Sequence, residues 1–322
     1  MFLHLRHRDN RVVASHDNRV LTGQGSNLSY KPIGLSAESS LGRLCQEAGA
    51  SVEEVRMTTI LGIDAAWTAT GASGVALVAS ARNGWRCIAI APSYDEFYSL
   101  SRGRPVTWID GPANGSPPNV SRLLRAARTL SRTEIDLVAV DMPVATVPIV
   151  GRRVADRAIS TAFGGRGCST HSPNISRPGA LGARLMRDLE SAGYSLATGA
   201  IKACTAPRTI EVYPHPALLA LLGRSYRIPY KVGNSNRYWP KVSIAQRKQN
   251  LLAEFQAIDS TLAHNLGPTG VPLALASLMT GLSRLKRFED ALDALICAWV
   301  GTRYIAGAAR PYGDRTSAIW VP

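Results

Sequence analysis

The chain has 322 residues, of which 45% are hydrophobic and 19% charged, an ordinary composition for a globular protein. No apolar run approaches the roughly 18 residues of a membrane-spanning helix, and the first residues lack the apolar core of a secretory signal. The five cysteines are scattered without a CxxC pair, which argues against a disulfide framework or a zinc site. These features predict a cytoplasmic protein without a membrane partner.

The formal net charge is +14, and a basic excess of this size favours nucleic acid as the partner. Only six of the 37 basic residues are lysines, however. Arginine richness can also reflect codon bias in a GC-rich genome, so charge alone does not fix the partner.

Residues 1–56 differ from the rest of the chain. They hold three of the six histidines and a passage rich in Gly, Ser and Asn, with one possible short helix at 40–56. Their weak periodicity predicts a flexible extension. An alternative is that Met57 is the biological start and that the extension is mis-assigned. Either way, residues 57–322 are expected to form a single domain.

Three strands are predicted first within that domain. Thr58–Asp64 is a nearly continuous apolar run, typical of a strand covered on both faces. Gly74–Ala79 and Trp85–Ala91 follow after short turns, the second of which contains Asn83-Gly84, a strong hairpin signal. The short connections predict an antiparallel meander.

A helix at 119–132 separates these strands from a fourth, Asp136–Asp141, which can therefore lie parallel to the first. Thr209–Pro214 is the predicted fifth strand. The remainder is mostly helical, with predicted segments at 243–266, 273–285 and 288–307. This alternation indicates an α/β protein.

Asp64 and Asp141 each end a predicted apolar strand. If the two strands are parallel neighbours, the carboxylates meet at the sheet edge where α/β proteins place their sites. Mg²⁺ or Mn²⁺ would relieve the repulsion between them, because hard cations prefer oxygen ligands. Alternatively, each acid caps the turn or helix that follows its strand.

Asp290 and Asp293 stand three residues apart on one face of the last predicted helix. A solvated acidic face is one interpretation. No other charge occurs between Asp290 and Thr302, however, so the helix looks buried all round and its acids would need a cation or an arginine.

Three further features carry alternatives. Glu211 lies inside the fifth strand and could point to solvent or into a site. His215 stands between two prolines and could be a local base or a phosphate contact. The arginines at 152–157, followed by a Gly-rich passage, could hold phosphates or form a salt-bridged helix start.

With these residues placed, the chain resembles the domain-of-unknown-function 429 family, predicted nucleases of the ribonuclease H-like superfamily. The resemblance covers roughly residues 57–307 through an ordered set of motifs: GIDAAW, VAVDMPV, RRVADRAI, EVYPHPALL, IPYKVG, QRKQNLL and FEDALDALICAW. His215 departs from the pattern, which leads us to expect an acid there.

The resemblance implies a five-stranded mixed sheet in the order 3-2-1-4-5, with helices on both faces and helical insertions. It implies metal-dependent hydrolysis of phosphodiester bonds in nucleic acid, with Mg²⁺ or Mn²⁺ as cofactor. The implied roles are metal carboxylates at Asp64, Asp141 and Asp293, auxiliary ligands or bases at Asp290 and Glu211, and phosphate-side contacts at Lys231 and Arg247. Within the Arg/Gly segment after Asp141, Arg153 and Arg157 are the candidate phosphate contacts.

Two other function classes remain open from the sequence. Actin-like ATPases and sugar kinases also begin with Gly-Ile-Asp and a Gly/Thr turn, but they need a duplicated domain that this chain does not show. A non-enzymatic binding or scaffold module would keep the acids for stability alone.

Overall fold

The computed structural model of the protein describes residues 57–109, 113–200 and 207–322. The expectations for residues 1–56, namely the flexible or mis-assigned extension and its short helix, lie outside the described residues. The described residues belong to one unit by their internal contacts.

The described residues form a single mixed sheet. Its strands are β1 Thr59–Asp64, β2 Gly74–Ala81, β3 Gly84–Ala91, β4 Leu137–Asp141, β5 Ser195–Leu196, β6 Arg208–Val212, β7 Arg310–Gly313 and β8 Ala318–Val321. The order is β3-β2-β1-β4-β6-β8-β7, and β5 pairs with the beginning of β6.

The pairing of the central strands agrees with the sequence patterns. β1, β2 and β3 form the predicted antiparallel meander, and β4 lies parallel to β1 as expected. β6 is parallel to β4, so β1, β4 and β6 all end at the same edge of the sheet. This edge carries the candidate site.

The predicted five-stranded sheet in the order 3-2-1-4-5 is wrong for the sheet as a whole, which has eight strands. The five predicted segments are neighbours in the expected succession, and β5, β7 and β8 extend the sheet beyond them. These three strands have only two to four residues, and β7 contains Pro311 and Gly313, which disfavour a strand assignment.

Helices connect the strands. They are α1 Tyr94–Leu100, α2 Val120–Ser131, α3 Val154–Phe163, α4 Ala180–Ser191, α5 Pro214–Leu222, α6 Ser235–Tyr238, α7 Ile244–Leu266, α8 Leu273–Leu278 and α9 Lys286–Ile305. Three short 3₁₀ turns lie at Gly164–Arg166, Val232–Asn234 and Ser283–Leu285. None of the described helices is both long and apolar enough to cross a membrane.

Helices cover both faces of the sheet, as predicted. Successive residues of β1 point to opposite faces: Ile60 packs in a core with α5, α7 and α9, whereas Leu61 packs in a second core with α1, α2 and α4. Each fully buried Leu, Ile or Phe in these cores contributes about 1.5–3 kcal/mol to stability. The candidate acids therefore stand on a sheet held from both sides.

α7 illustrates how sequence produces these layers. Ser243 caps its first turn, accepting a hydrogen bond from the Gln246 backbone N–H at 3.2 Å. Its buried side chains recur every three or four residues and form one apolar stripe facing the sheet: Leu251, Phe255, Ile258, Leu262 and Leu266. The helix ends at Gly267, whose φ of 67° suits glycine.

Candidate active site

A cavity of about 820 Å³ opens at the edge where β1, β4 and β6 end. Its volume lies within the roughly 300–1,000 Å³ typical of small-ligand pockets. Six of the nine site residues expected from the sequence line it: Asp64, Asp141, Arg153, Glu211, Lys231 and Asp290.

Asp64 and Asp141 stand side by side. They are register partners at the ends of parallel strands β1 and β4, so their side chains leave the sheet on the same face. Neither carboxylate forms a hydrogen bond or an ion pair with a residue that the structure describes. The alternative that each acid caps its following turn is therefore not what the described residues show.

The pKa of Asp141 lies well above its ordinary value. Burial is the main cause, and the negative charge of Asp64 adds to it, while Lys231 acts in the opposite direction. The pair is thus two close carboxylates that form no ion pair with a described residue, an arrangement whose repulsion a bound cation would relieve.

Two glycines bring α9 onto this pair. A Cβ atom on Gly62 would lie 2.2 Å from the Ala294 carbonyl oxygen, and one on Gly74 would lie 1.9 Å from the Asp290 carbonyl oxygen. Gly74 is also the register partner of Asp64 in the β1–β2 pair. The absence of side chains at these positions lets the helix backbone approach the sheet beside Asp64.

This approach buries three acids of α9. Glu289, Asp290 and Asp293 are 2%, 2% and 0% exposed, so the interpretation of a solvated acidic face is wrong. Asp290 and Glu289 line the cavity, whereas Asp293 lies behind its wall.

Two lysines form ion pairs with these three acids. Lys231 Nζ donates to the Asp293 carboxylate and lies 3.4 Å from Glu289 Oε1. Lys286 Nζ donates to the Asp290 carboxylate and lies 3.2 Å from the same Glu289 oxygen. The α9 acids thus already have cationic partners, unlike Asp64 and Asp141.

The pKa values of the acids reflect both burial and pairing. Burial raises the pKa of Asp293 to about 7 against the effect of Lys231, with Asp64 adding to the rise. Burial likewise raises the pKa of Asp290 well above its ordinary value. Burial opposes ionisation of Glu289 too, but Lys231 and Lys286 prevail and lower its pKa.

Tyr230 completes the surroundings of Asp293. Its hydroxyl donates to Asp293 Oδ1 at 2.5 Å, while Lys231 contacts the other carboxylate oxygen. Both oxygens of Asp293 are therefore engaged, and a cation would reach this residue only by replacing one of these contacts.

Glu211 and Arg153 belong to a separate buried cluster. Both guanidinium Nη atoms of Arg153 donate to the Glu211 carboxylate at 2.6 Å, and Asp156 accepts from Nε and Nη2 at 3.1 and 2.9 Å. The Val144 backbone N–H also donates to Glu211, at 3.1 Å. Glu211 is 3% exposed, so the interpretation that it points to solvent is wrong. The salt-bridged helix start weighed for the arginines at 152–157 is present here.

Two expected phosphate contacts lie away from the cavity wall. Arg157 is exposed and donates to the Arg152 carbonyl at 3.0 Å. Arg247 donates to the Asn236 side-chain oxygen at 3.1 Å. Neither lines the cavity.

The structure also brings in cavity residues that the sequence did not assign to the site. Lys286 precedes Asp290 by four residues, a spacing typical of a helical ion pair, so a signal for it existed. Arg227 lies in a stretch without periodicity and gave no such signal. Trp67 also lies at the cavity, with the Arg177 guanidinium 5.8 Å from its ring centre.

Among residues 57–109, 113–200 and 207–322, no group of three or more His, Cys, Asp or Glu side chains is spaced to hold a metal ion. The arrangement instead offers two free carboxylates, Asp64 and Asp141, beside acids that form ion pairs with lysines. A cation held here would be bound by few protein ligands.

Comparison with known proteins gives a family but no named relative. No curated protein matches the chain, and no solved structure matches it. The family described as "Protein of unknown function (DUF429)" matches residues 62–317, a span that includes every acid and lysine of the cavity described above. The chain therefore belongs to the DUF429 family.

Proposed function

We propose that the protein is a divalent-metal-dependent nuclease that hydrolyses phosphodiester bonds of nucleic acid on a ribonuclease H-like fold. The observation that carries this proposal is the Asp64–Asp141 pair, two adjacent carboxylates beside a cavity without a hydrogen-bonding partner among the described residues. The fold part is supported by the succession β3-β2-β1-β4-β6, with a buried acidic helix, α9, packed against β1, β2 and β4.

The donor set of this pair fits Mg²⁺ or Mn²⁺. Hard cations prefer carboxylate oxygens, and Mg²⁺ is commonly bound through one or two protein carboxylates, with water and substrate phosphate completing its coordination. Asp293, which the family resemblance adds as a third ligand, would join by releasing Lys231. Asp290 would similarly have to release Lys286.

A cation bound by the two aspartates would supply an activated water and stabilise charge on the phosphate that is attacked. The chain's own residues fix and tune that position. The paired strands hold Asp64 and Asp141 in register. Lys231 and Lys286 offset the negative charge of the α9 acids, which would otherwise repel an approaching phosphate.

The basic composition and the size of the cavity together suggest the kind of substrate. A net charge of +14 favours polyanions. A cavity of about 820 Å³ accommodates a few unpaired nucleotides rather than a duplex. Trp67 at the cavity provides a ring on which a base could stack. We therefore propose single-stranded nucleic acid, or a strand end, as the substrate.

The proposal is tested by incubating the full chain with end-labelled single-stranded DNA and RNA in EDTA, Mg²⁺ or Mn²⁺. Cleavage is expected only with a divalent metal. Asp64→Asn and Asp141→Asn should each reduce the cleavage rate at least about 100-fold, because each removes charge from the cation position.

Asp95→Asn is the matched control, since Asp95 is an exposed acid outside the cavity and its loss should leave cleavage unchanged. Circular dichroism of all three variants establishes that they fold. Absence of cleavage by the wild type with every divalent metal, or full cleavage by both cavity variants, would overturn the proposal. Thermal stabilisation by ATP in place of cleavage would indicate the ATPase class.

A further inference from the structure

His215 is a buried histidine with an unused donor at the cavity. It is the second residue of α5, which begins where β6 ends, and it is 5% exposed. The cavity wall includes it together with Arg227. The two side chains meet through His215 Nε2 and Arg227 Nη2, which are 2.7 Å apart.

This contact fixes the tautomer of the histidine. A guanidinium group can only donate, so Nε2 of His215 must be the acceptor and the ring proton must lie on Nδ1. The pKa of His215 lies well below its usual range, because burial and the nearby charges of Arg227, Lys231 and His171 all disfavour the imidazolium form. The ring is therefore neutral, with Nδ1–H as its donor.

That donor has no partner. Nδ1 of His215 is buried and forms no hydrogen bond with any described residue. A buried donor without an acceptor costs about 1–3 kcal/mol, which a ligand oxygen would recover.

Arg227, which carries a full positive charge, also has a buried donor without a partner among the described residues. Its Nη1 donates to the Gly167 carbonyl at 3.3 Å, but its buried Nε has no hydrogen-bonding partner among the described residues. No described carboxylate forms an ion pair with Arg227, in contrast to the fully paired Arg153 at the same cavity. Its charge is thus available to a ligand.

The beginning of α5 reinforces this polarity but cannot bind an anion alone. A helix N-terminus favours negative charge. Here prolines at 214 and 216 remove two of the first three backbone N–H groups, and no side chain caps the helix. Recognition at this place therefore depends on the side chains of His215 and Arg227.

We propose that His215 and Arg227 form a phosphate-binding subsite, which holds a substrate phosphate in the cavity that the Asp64–Asp141 pair also lines. A phosphate group suits the subsite because it offers a negative charge to Arg227 and several acceptor oxygens to the donors of both side chains. The subsite extends the proposed nuclease function, on which its assignment to a nucleic-acid phosphate rests. It would position a strand end or a phosphate neighbouring the one that is cleaved.

Phosphate binding can be measured without metal or catalysis. The full chain in EDTA is titrated with inorganic phosphate by isothermal calorimetry. Arg227→Gln and His215→Gln should each weaken binding at least about tenfold, because the first removes the charge and the second keeps an acceptor for Arg227 but loses the Nδ1–H donor. His215→Asn, which can place an amide N–H near the Nδ1 position, should restore part of the affinity.

Arg237→Gln is the matched control, because it removes one exposed positive charge outside the cavity and should leave affinity within about twofold of the wild type. Equal phosphate affinity in the wild type and both Gln variants, or no phosphate binding by the wild type, would overturn the subsite. If His215→Gln does not fold, Arg227→Gln decides the outcome.

Asp64→Asn separates this inference from the proposed function. This variant should lose cleavage but bind phosphate at least as well as the wild type, since it removes a nearby negative charge. If the wild type binds phosphate through His215 and Arg227 but cleaves no nucleic acid, the subsite stands and the nuclease proposal fails. If cleavage depends on Asp64 but substitution of His215 or Arg227 leaves phosphate affinity unchanged, the nuclease proposal stands and the subsite fails.

Discussion

Two acid clusters lie at the same edge of the sheet, and they differ in how their charges are satisfied. Glu211 of β6 and Asp156 of α3 share the guanidinium of Arg153 through hydrogen bonds of 2.6–3.1 Å. Asp64 and Asp141, at the ends of β1 and β4, have no such partner among the described residues.

The difference separates structural acids from acids available for chemistry. A buried carboxylate is tolerated when an arginine and backbone N–H groups complete its hydrogen bonds. A carboxylate that lacks these hydrogen bonds lowers stability. Such a residue is retained where a bound ligand supplies the missing interactions. Both clusters place acids at the same edge of the sheet, and the partners of these acids distinguish their roles.

The largest expected effect on stability comes from breaking the satisfied cluster. Arg153→Met should lower the free energy of unfolding by about 3–5 kcal/mol, because Glu211 and Asp156 would remain buried without their cation. Urea denaturation followed by circular dichroism measures the loss.

The double variant Arg153→Met with Glu211→Met is the control for this explanation. It removes a charge of each sign and should be less destabilised than the sum of the two single variants. Additive losses would show that the cluster stabilises the fold by packing alone. The contrast between acids paired with Arg153 and acids without such a partner would then no longer explain their roles.

The unsatisfied cluster should respond in the opposite direction. Asp141→Asn is expected to raise the free energy of unfolding of the metal-free protein by about 0.5–2 kcal/mol near pH 8. It removes a half-buried charge that Asp64 repels. Thermal unfolding in EDTA at several pH values provides the measurement.

The pH dependence has a definite sign. The pKa of Asp141 is raised in the folded protein relative to the unfolded chain, where it is about 3.9. Its protonation therefore stabilises the fold fully below that unfolded value, and this contribution is lost as pH rises through the folded pKa. The advantage of Asn should vanish near pH 4, and an advantage that is constant with pH would contradict the explanation.

The sequence predicted the adjacent positions of Asp64 and Asp141, because these depend on the apolar pattern of their strands. Continuous apolar runs that end in Asp64 and Asp141, with a helix between them, suffice to predict parallel neighbours with adjacent acids. The absence of any charge other than Asp293 between Asp290 and Thr302 similarly predicted a buried helix.

The partners of the acids could not be predicted in the same way. Arg153 engages Glu211, which is 58 residues away, and Tyr230 engages Asp293 across 63 residues. Such pairs depend on where loops pass over the sheet edge, which periodicity does not determine. The short strands β5, β7 and β8 were missed for a related reason, since they form by pairing with an existing edge.

The smallest expected effects concern two arginines that the sequence associates with phosphate. Arg157 and Arg247 do not line the cavity, and each contacts a backbone or side-chain oxygen nearby. Arg157→Gln and Arg247→Gln should therefore change the free energy of unfolding by no more than about 0.5 kcal/mol.

The Arg157→Gln and Arg247→Gln variants should also leave phosphate affinity within about twofold of the wild type, in contrast to Arg227→Gln. Calorimetric titration of the three variants side by side provides the measurement. A tenfold loss at Arg157 or Arg247 would show that phosphate also binds outside the cavity, and that lining the cavity does not decide which charges bind it.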